Sequence, residues 1–373
     1  QIKKNSLNIY QLSLPRYFAL FLNYQKAKIF QDKNIREALN YVVNRKEIIK
    51  KVLLGQGEII SSPILPEIFG FEKPKITYEF NPQRTKEILE KTGFFDRDGD
   101  GIREKIIKKV SVFQFKSELK KGFQGNEVKE LQKCLAKDAK IYPSGKITGY
   151  FGEETEEAVI KFQEKYKKEI LEPSGLTEGT GKVGKLTRAK LNELCGESSE
   201  ETLLLQFSLT TIDQPEMKEV ANFLKEDWQE TLGAKVNVQL YERSELEKEI
   251  IKSRNYEALL FGEVLNLTPD PFSFWHSTQK KDPGLNLALY ENKRADKLLE
   301  EARQSLDFQT RKQKLEEFQN ILLEDAPVVF LYNPNYLYPV SKEIKGINVK
   351  TIADPSKRFS NIEEWYIKTK RVW

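Results

Sequence analysis

Histidine is almost absent from this sequence: there is one, His276, in 373 residues. Metal-dependent hydrolysis generally needs several His or acidic ligands, and a Ser or Cys nucleophile needs a His base. The composition therefore argues against both. Cysteine is nearly as scarce, with only Cys134 and Cys195. In a cytosolic protein such a pair usually stays unbonded, whereas in an exported module it can staple two helices. No apolar run approaches the roughly 20 residues that span a bilayer. Tyr17-Phe18-Ala19-Leu20-Phe21-Leu22 is far too short and reads as a buried strand. An excess of one charge is also missing: 61 Lys and Arg face 56 Asp and Glu, interleaved as in KEILEK and KLLEEAR. That pattern is a solvated surface, and no nucleic-acid partner is expected. The chain opens QIKKNSLNIY, with neither Met nor a visible signal peptide. Processing or truncation is expected to have removed its start.

What is present is a globular composition, 39% apolar and 31% charged, in a chain long enough for two or more domains. Ile35, Ala38, Leu39, Val42, Val43, Ile49 and Leu53 follow helical spacing and predict a helix over 34–53, ended by Gly55 and Gly57. A short helix is expected over 82–92, stopped by Gly93, and a turn-rich segment, FFDRDGDGIREK, follows it. Further on, Leu203–Leu209 reads as a buried strand and 215–232 as an amphipathic helix through Val220, Leu224 and Trp228. Val236, Val238 and Leu240 alternate as a strand, a helix follows around Leu246 and Ile250, and Ala258–Phe261 is a strand. Helices at 293–306 and 309–324 precede a strand at Val328–Tyr332. Strands alternating with helices predict an α/β fold with some parallel pairing.

Residues 110–197 have another texture. Helical periodicity appears at Val128, Leu131 and Leu135, at Ala158, Val159, Phe162 and Tyr166, and at Leu191 and Leu194. Turn residues separate these segments, so a small three-helix unit interrupts the α/β part. A unit of this size needs help to be stable, and a bridge between Cys134 and Cys195, on its first and last helices, would supply it.

This segment resembles the peptidoglycan-binding domain family. The features that carry the resemblance are the G-x-x-G-x-x-V-x-x-L-Q opening (Gly122 to Gln132), TGYFG (Thr148–Gly152), T-x-x-A-V-x-x-F-Q (Thr155–Gln163) and the closing VGKLTRAKLN. The resemblance implies a peptidoglycan partner, with Thr148, Tyr150 and Phe151 as candidate contacts. Gly149 and Gly152 permit a tight loop there, and aromatic groups beside such a loop stack on sugar. The other reading makes Tyr150 and Phe151 core residues. The loop GLTEGTGKVG is longer than the family minimum.

The flanking parts, 1–109 and 198–373, resemble family 5 of the extracellular solute-binding proteins, the peptide- and nickel-type receptors of ABC importers. FQDKNIREALNYVVNRKEII (30–49), GQGEIISSPILP (55–66), GFFDRDGDGIREK (93–105), TPDPFSFWHS (268–277) and NLALYENKRADKLLEEAR (286–303) carry the match. The resemblance implies a type II periplasmic-binding-protein-like α/β lobe, interrupted by the small all-α domain. It also implies a peptide or related solute as ligand, ABC permease subunits as partners, and a location outside the cytoplasm, at the wall. Most of the family's first lobe is expected to lie upstream.

Two constellations carry site expectations. Asp96, Asp98, Asp100 and Gly101 fit the first half of a calcium loop, but the twelfth position is Ile107 where an EF-hand has Glu, and Glu104 is at the ninth. An Asx-turn connection is the simpler reading, with weak Ca²⁺ binding as the alternative; no other cofactor is expected. In the segment holding Asp270, Phe272, Trp275 and His276, the family resemblance implies an interlobe cleft, so these four are candidate ligand contacts on a face open to water. Many peptide binders of the family carry an amine-pairing Asp where this chain has Leu267. Asp270 is the candidate surrogate. The expected function is therefore solute capture without catalysis. The rivals are a cell-wall hydrolase, such as an amidase or carboxypeptidase, and a wall-binding scaffold.

Overall fold

A computed structural model describes residues 6–111, 113–195, 197–265 and 268–367. The chain divides into two compact units, Gln1–Lys105 with Leu203–Trp373, and Ile106–Thr202. These limits lie a few residues outside 110 and 197, because Glu104–Ser111 and Glu197–Leu204 pair with each other as a two-stranded ribbon.

The larger unit is α/β. Its elements begin with β1 (Leu7–Leu12), β2 (Arg16–Leu22), α1 (Lys33–Tyr41), α2 (Arg45–Lys51), β3 (Gly57–Ile59) and α3 (Pro82–Thr92). After the insert come β4 (Gln206–Ile212), α4 (Pro215–Leu232), β5 (Lys235–Tyr241) and β6 (Ala258–Val264). The last elements are α5 (Lys293–Gln304), α6 (Phe308–Asp325), β7 (Val328–Pro334) and β8 (Tyr336–Ser341). A six-stranded sheet runs β3-β7-β2-β6-β4-β5. Within it β4 is parallel to both β5 and β6, while β2 is antiparallel to β6 and β7. From β4 the chain goes through α4 to β5 on one side, then returns to β6 on the other. β4 is therefore the strand at which the winding reverses. Separately, β1 and β8 form an antiparallel ribbon with Leu7 opposite Ser341.

Capping chemistry sets most helix limits. Pro82 and Pro215 open α3 and α4, and Gly93 and Gly233 end them at φ 88° and 61°. The helix expected over 34–53 is in fact two. Asn44 leaves helical geometry, and its side chain accepts the Glu47 N–H, capping α2. The strand expected over 203–209 is also broken, because Leu205 donates to Arg103 O at 2.8 Å before β4 begins at Gln206. Trp228 is fully buried, its indole N–H bonded to Leu39 O at 3.2 Å, and Phe207 packs against it edge-on.

The insert has its own core, including Val128, Leu131, Phe151, Val159, Phe162, Val183 and Leu191. Its main helices are Asn126–Leu135, Glu153–Lys165 and Lys185–Cys195, with a short turn of helix at Lys167–Ile170. Leu194 is exposed, although its spacing suggested a core position. Cys134 and Cys195 are bonded, with Cα atoms 5.6 Å apart, joining the first and last helices.

Candidate functional site

Of the four residues expected to face a ligand, two are buried and two are half-exposed. Trp275 is 1% exposed and packs among Phe21, Tyr290 and Phe330. His276 is 4% exposed, with Nδ1 2.8 Å from Thr278 Oγ1 and Nε2 3.2 Å from Glu300 Oε1. Phe272 is stacked between them and a cation: its ring lies 4.1 Å from the His276 ring and 3.9 Å from the Arg303 guanidinium carbon. Asp270 completes the stack by taking Arg303 in a two-point ion pair at 3.0 and 2.7 Å. The four residues form a structural post that fastens this segment to α5. The expected exposure is corrected for Trp275 and His276, which are buried; Asp270 and Phe272 stay half-exposed, with the Asp270 carboxylate engaged by Arg303. Leu267 lies outside the described residues.

A different place has spare polar atoms. At the carboxyl end of β4 lies a cavity of about 250 Å³, with Arg16, Phe18, Gln214, Glu216, Arg243 and Glu263 in its lining. In open α/β sheets, ligands bind outside the carboxyl ends of the strands where the winding reverses. Glu263 stands opposite Tyr17 across β6 and β2, and the Tyr17 hydroxyl donates to its Oε2. Glu263 is 4% exposed, and burial pushes its carboxyl up to about 8, against the opposing effect of the Tyr17 hydrogen bond. Its Oε1 has no hydrogen-bond partner, and neither has Arg16 Nε. Arg16 Nη2 donates to Pro334 O at 3.2 Å, and burial holds its pKa down. Composition and periodicity missed Glu263. The available signal was an acid inside an apolar strand, ALLFGEV, whose expected end was set at Phe261.

A larger cavity, about 530 Å³, surrounds Arg45. There the buried guanidinium is spent on Phe330 O at 2.6 Å, Tyr78 O at 2.9 Å and Asn40 O at 3.2 Å. Its charge therefore serves the fold.

In the insert, Phe151 is 0% exposed and belongs to the core, which corrects its place among the wall contacts. Tyr150 beside it is 52% exposed. Thr148 is exposed, but its hydroxyl is held within the loop, 3.1 Å from Gln132 Nε2 and 3.2 Å from the Tyr150 N–H. The loop occurs twice. TGYFGEET (148–155) is matched by TGKVGKLT (180–187), each running into a helix. Gln132 accepts the Gly149 N–H and donates to Tyr150 O and Thr155 Oγ1. Gln163 accepts the Gly181 N–H and donates to Lys182 O and Thr187 Oγ1. Gly149 and Gly181 have φ 76° and 70°, a region that disfavours side chains. Phe151 and Val183 fill the same inward place, leaving Tyr150 and Lys182 outward.

Comparison with known proteins agrees with both halves of this picture. Residues 1–132 match the model for bacterial extracellular solute-binding proteins, family 5 Middle, and residues 124–191 match "Putative peptidoglycan binding domain". The oligopeptide-binding protein AppA of Bacillus subtilis is 25% identical over 351 residues, 92% of this chain and 45% of the relative. The similarity to family 5 solute-binding proteins thus lies in residues 1–132 by the family model and extends along most of the chain at 25% identity to one relative. The nickel-binding periplasmic protein of Escherichia coli is 35% identical over 96 residues, 26% of this chain and 18% of the relative. Among solved structures, Bacillus subtilis AppA in complex with a nonapeptide superposes with a TM-score of 0.62 at 22% identity, covering 98% of this chain and 53% of that one. NikZ from Campylobacter jejuni in complex with Ni(L-His) gives 0.60 at 17%, covering 97% and 54%. The chain thus spans about half the length of these relatives. Family 5 proteins are extracytoplasmic, and no helix among the described residues is long and apolar enough to cross a membrane.

In the larger unit the DRDGDG segment is a chain of Asx turns. Asp96 accepts the N–H groups of Gly99 and Gly101 at 2.8 and 3.1 Å, and Asp100 accepts that of Ile102 at 2.7 Å. Asp98 accepts the Asp100 N–H at 3.2 Å. Among the described residues, carboxylate oxygens of Asp96, Asp98 and Glu104 lie within 4.8 Å of one another, and Asp100 is not in that group. Glu104 also accepts the Arg97 N–H at 3.0 Å.

Proposed function

We propose that this chain captures a peptide or related small solute for an ABC importer, without catalysing a reaction, and that its insert holds it at peptidoglycan. The observation that carries capture is the cavity at the reversal strand, whose lining includes the charged residues Arg16, Glu216 and Arg243. Relatives named for oligopeptide and nickel binding support the same class. Closure around the solute and docking on a permease would follow as in other two-lobed receptors. A cell-wall hydrolase fits less well, because the one His is already committed to Thr278 and Glu300 inside a packed stack. No cofactor enters this reading, and the Asp96–Asp98–Glu104 group is treated as a turn.

Wall attachment is supported by the domain match and by the outward ring of Tyr150, an amphipathic surface of the kind that stacks on sugar. Tethering raises the receptor's effective concentration near its source of solute. The test of capture is incubation of the protein with a pool of random tetrapeptides, removal of free peptide, and mass spectrometry of what remains. Enrichment of a subset is expected from a version extended upstream, and little or none from this chain alone; recovery of none by the extended version would end the capture reading. Hydrolysed products in the same experiment, lost with His276→Ala, would favour the hydrolase instead.

A further inference from the structure

We propose, resting on the wall-attachment reading, that the insert holds peptidoglycan with both copies of its loop. The Tyr150 ring stacks on a sugar, and the Lys182 ammonium group pairs with a carboxylate of the peptide stem carried by the same strand.

The two loops are built alike, and what they present is not. The Gln132 and Gln163 clamps hold both backbones in one conformation, with Phe151 and Val183 inward. Tyr150 and Lys182 therefore occupy equivalent outward positions, and both are exposed. The helices that follow differ in sign. Helix Glu153–Lys165 opens with Glu153, Glu154 and Glu156, whereas Lys185–Cys195 has no acid in its first turn. The acids of the first loop are already met by cations: Lys121 lies 3.1 Å from Glu156 and Lys146 lies 3.9 Å from Glu154. The second loop keeps its charge. Lys182 bonds through its backbone N–H to Thr180 Oγ1, and among the described residues its ammonium group has no acidic partner. Lys185 adds a second positive charge at a helix start, where the backbone itself favours an anion. The first loop thus offers an aromatic face and the second a cation, a pair that fits a ligand with both sugar and carboxylate.

One turn fastens both loops. The Val183 N–H donates to Leu119 O at 2.8 Å, and the Phe151 N–H donates to Phe123 O at 2.8 Å. Between these points the Phe123 N–H donates to Lys120 O at 3.1 Å, and Gly122 has φ 90°. That is the geometry of a type II β-turn, whose ends are less than about 7 Å apart. One strand spacing of about 5 Å on each side puts the loops within roughly 17 Å of one another. An extended peptide covers such a span in about five residues. In peptidoglycan, short peptide stems bearing carboxylates branch from the sugar chain. A sugar seated on Tyr150 therefore leaves stem carboxylates within reach of Lys182.

The experiment is co-sedimentation of the full chain at low salt with purified peptidoglycan and with the same material capped as methylamides by carbodiimide and methylamine. Capping should weaken binding about threefold, the size of effect that an exposed ion pair supplies. Salt at about 0.5 M should remove the difference. Lys182→Gln should bind untreated peptidoglycan as weakly as the unaltered protein binds the capped form, and should be indifferent to capping. Lys182→Arg, which keeps the charge, should bind as the unaltered protein does. Tyr150→Ala should bind both materials less and keep its sensitivity to capping. Lys168→Gln, which removes another exposed lysine of the insert, should change nothing. Indifference of the unaltered protein to capping would overturn the proposal while leaving wall attachment standing. So would a loss in Lys168→Gln equal to that in Lys182→Gln, which would show attraction by diffuse charge. Undiminished sedimentation of a chain lacking 110–197 would remove wall attachment and this proposal with it. The comparison of capped and untreated material needs no variant to fold.

Discussion

Gln132 and Gln163 do the same work in the two halves of the insert. Each side-chain oxygen takes the N–H of a glycine, Gly149 at 2.8 Å and Gly181 at 3.1 Å, and each amide nitrogen reaches a threonine hydroxyl at 3.0 Å. One residue type thereby ties each loop to a helix and to the start of the next. Removing either amide strands buried donors and acceptors that water cannot reach. Gln132→Ala and Gln163→Ala should each destabilise the insert by about 3 kcal/mol. Hydrogen exchange of insert amides in the full chain reads this locally. Unchanged protection in either variant would show that the clamps are incidental.

The Cys134–Cys195 bridge closes a long loop, with the two residues separated by 61 positions. On a loop-entropy basis its loss should cost the insert about 4 kcal/mol. Cys134→Ser with Cys195→Ser should lower the insert's unfolding midpoint and leave the larger unit's unchanged. A single shared drop in both transitions would contradict two separately cored units. Mass spectrometry of oxidatively refolded protein should find no free thiol.

Tyr150 and Phe151 are neighbours with opposite fates, so their substitutions should separate. Tyr150→Ala should reduce co-sedimentation with purified peptidoglycan several-fold at unchanged stability, and deletion of 110–197 should abolish it. Phe151→Ala opens a cavity in the insert core and should cost about 3–5 kcal/mol. If the deletion variant pelleted as well as the whole chain, wall attachment would lie elsewhere.

Stability should fall as pH rises through neutrality. The Glu263 carboxyl is raised to about 8 when folded, against about 4.3 in an unfolded chain. Between those values the folded state keeps a proton that the unfolded state has lost. The stabilisation this group contributes is complete below about pH 4 and declines by about 1.4 kcal/mol per pH unit until pH 8. Glu263→Gln, which does not titrate, should flatten that slope in ligand-free protein. Urea denaturation at pH 5, 6, 7 and 8 measures it, and parallel slopes in the two proteins would refute the assignment.

Much of the α/β layout was legible because local chemistry set it. Pro82, Gly93, Pro215 and Gly233 mark helix ends that no tertiary contact needs to enforce. The break between α1 and α2 was hidden by Val42 and Val43, which extend the apolar period across it; Asn44 was the available sign. The doubled insert loop was also present in the sequence, as TGYFGEET and TGKVGKLT, and needed only self-comparison.

The sequence by itself determined the two units, their helix caps, the scarcity of histidine and the family resemblance, because these depend on residue type and spacing. Tertiary structure alone decided which polar atoms were left over. Asp270 and His276 carry suitable chemistry, yet Arg303 and Glu300 consume them; Glu263 lies in an apolar run, yet its Oε1 remains unpaired. Hydrogen-bond saturation is a property of neighbours brought together by folding across long sequence separations, and spacing along the chain does not encode it.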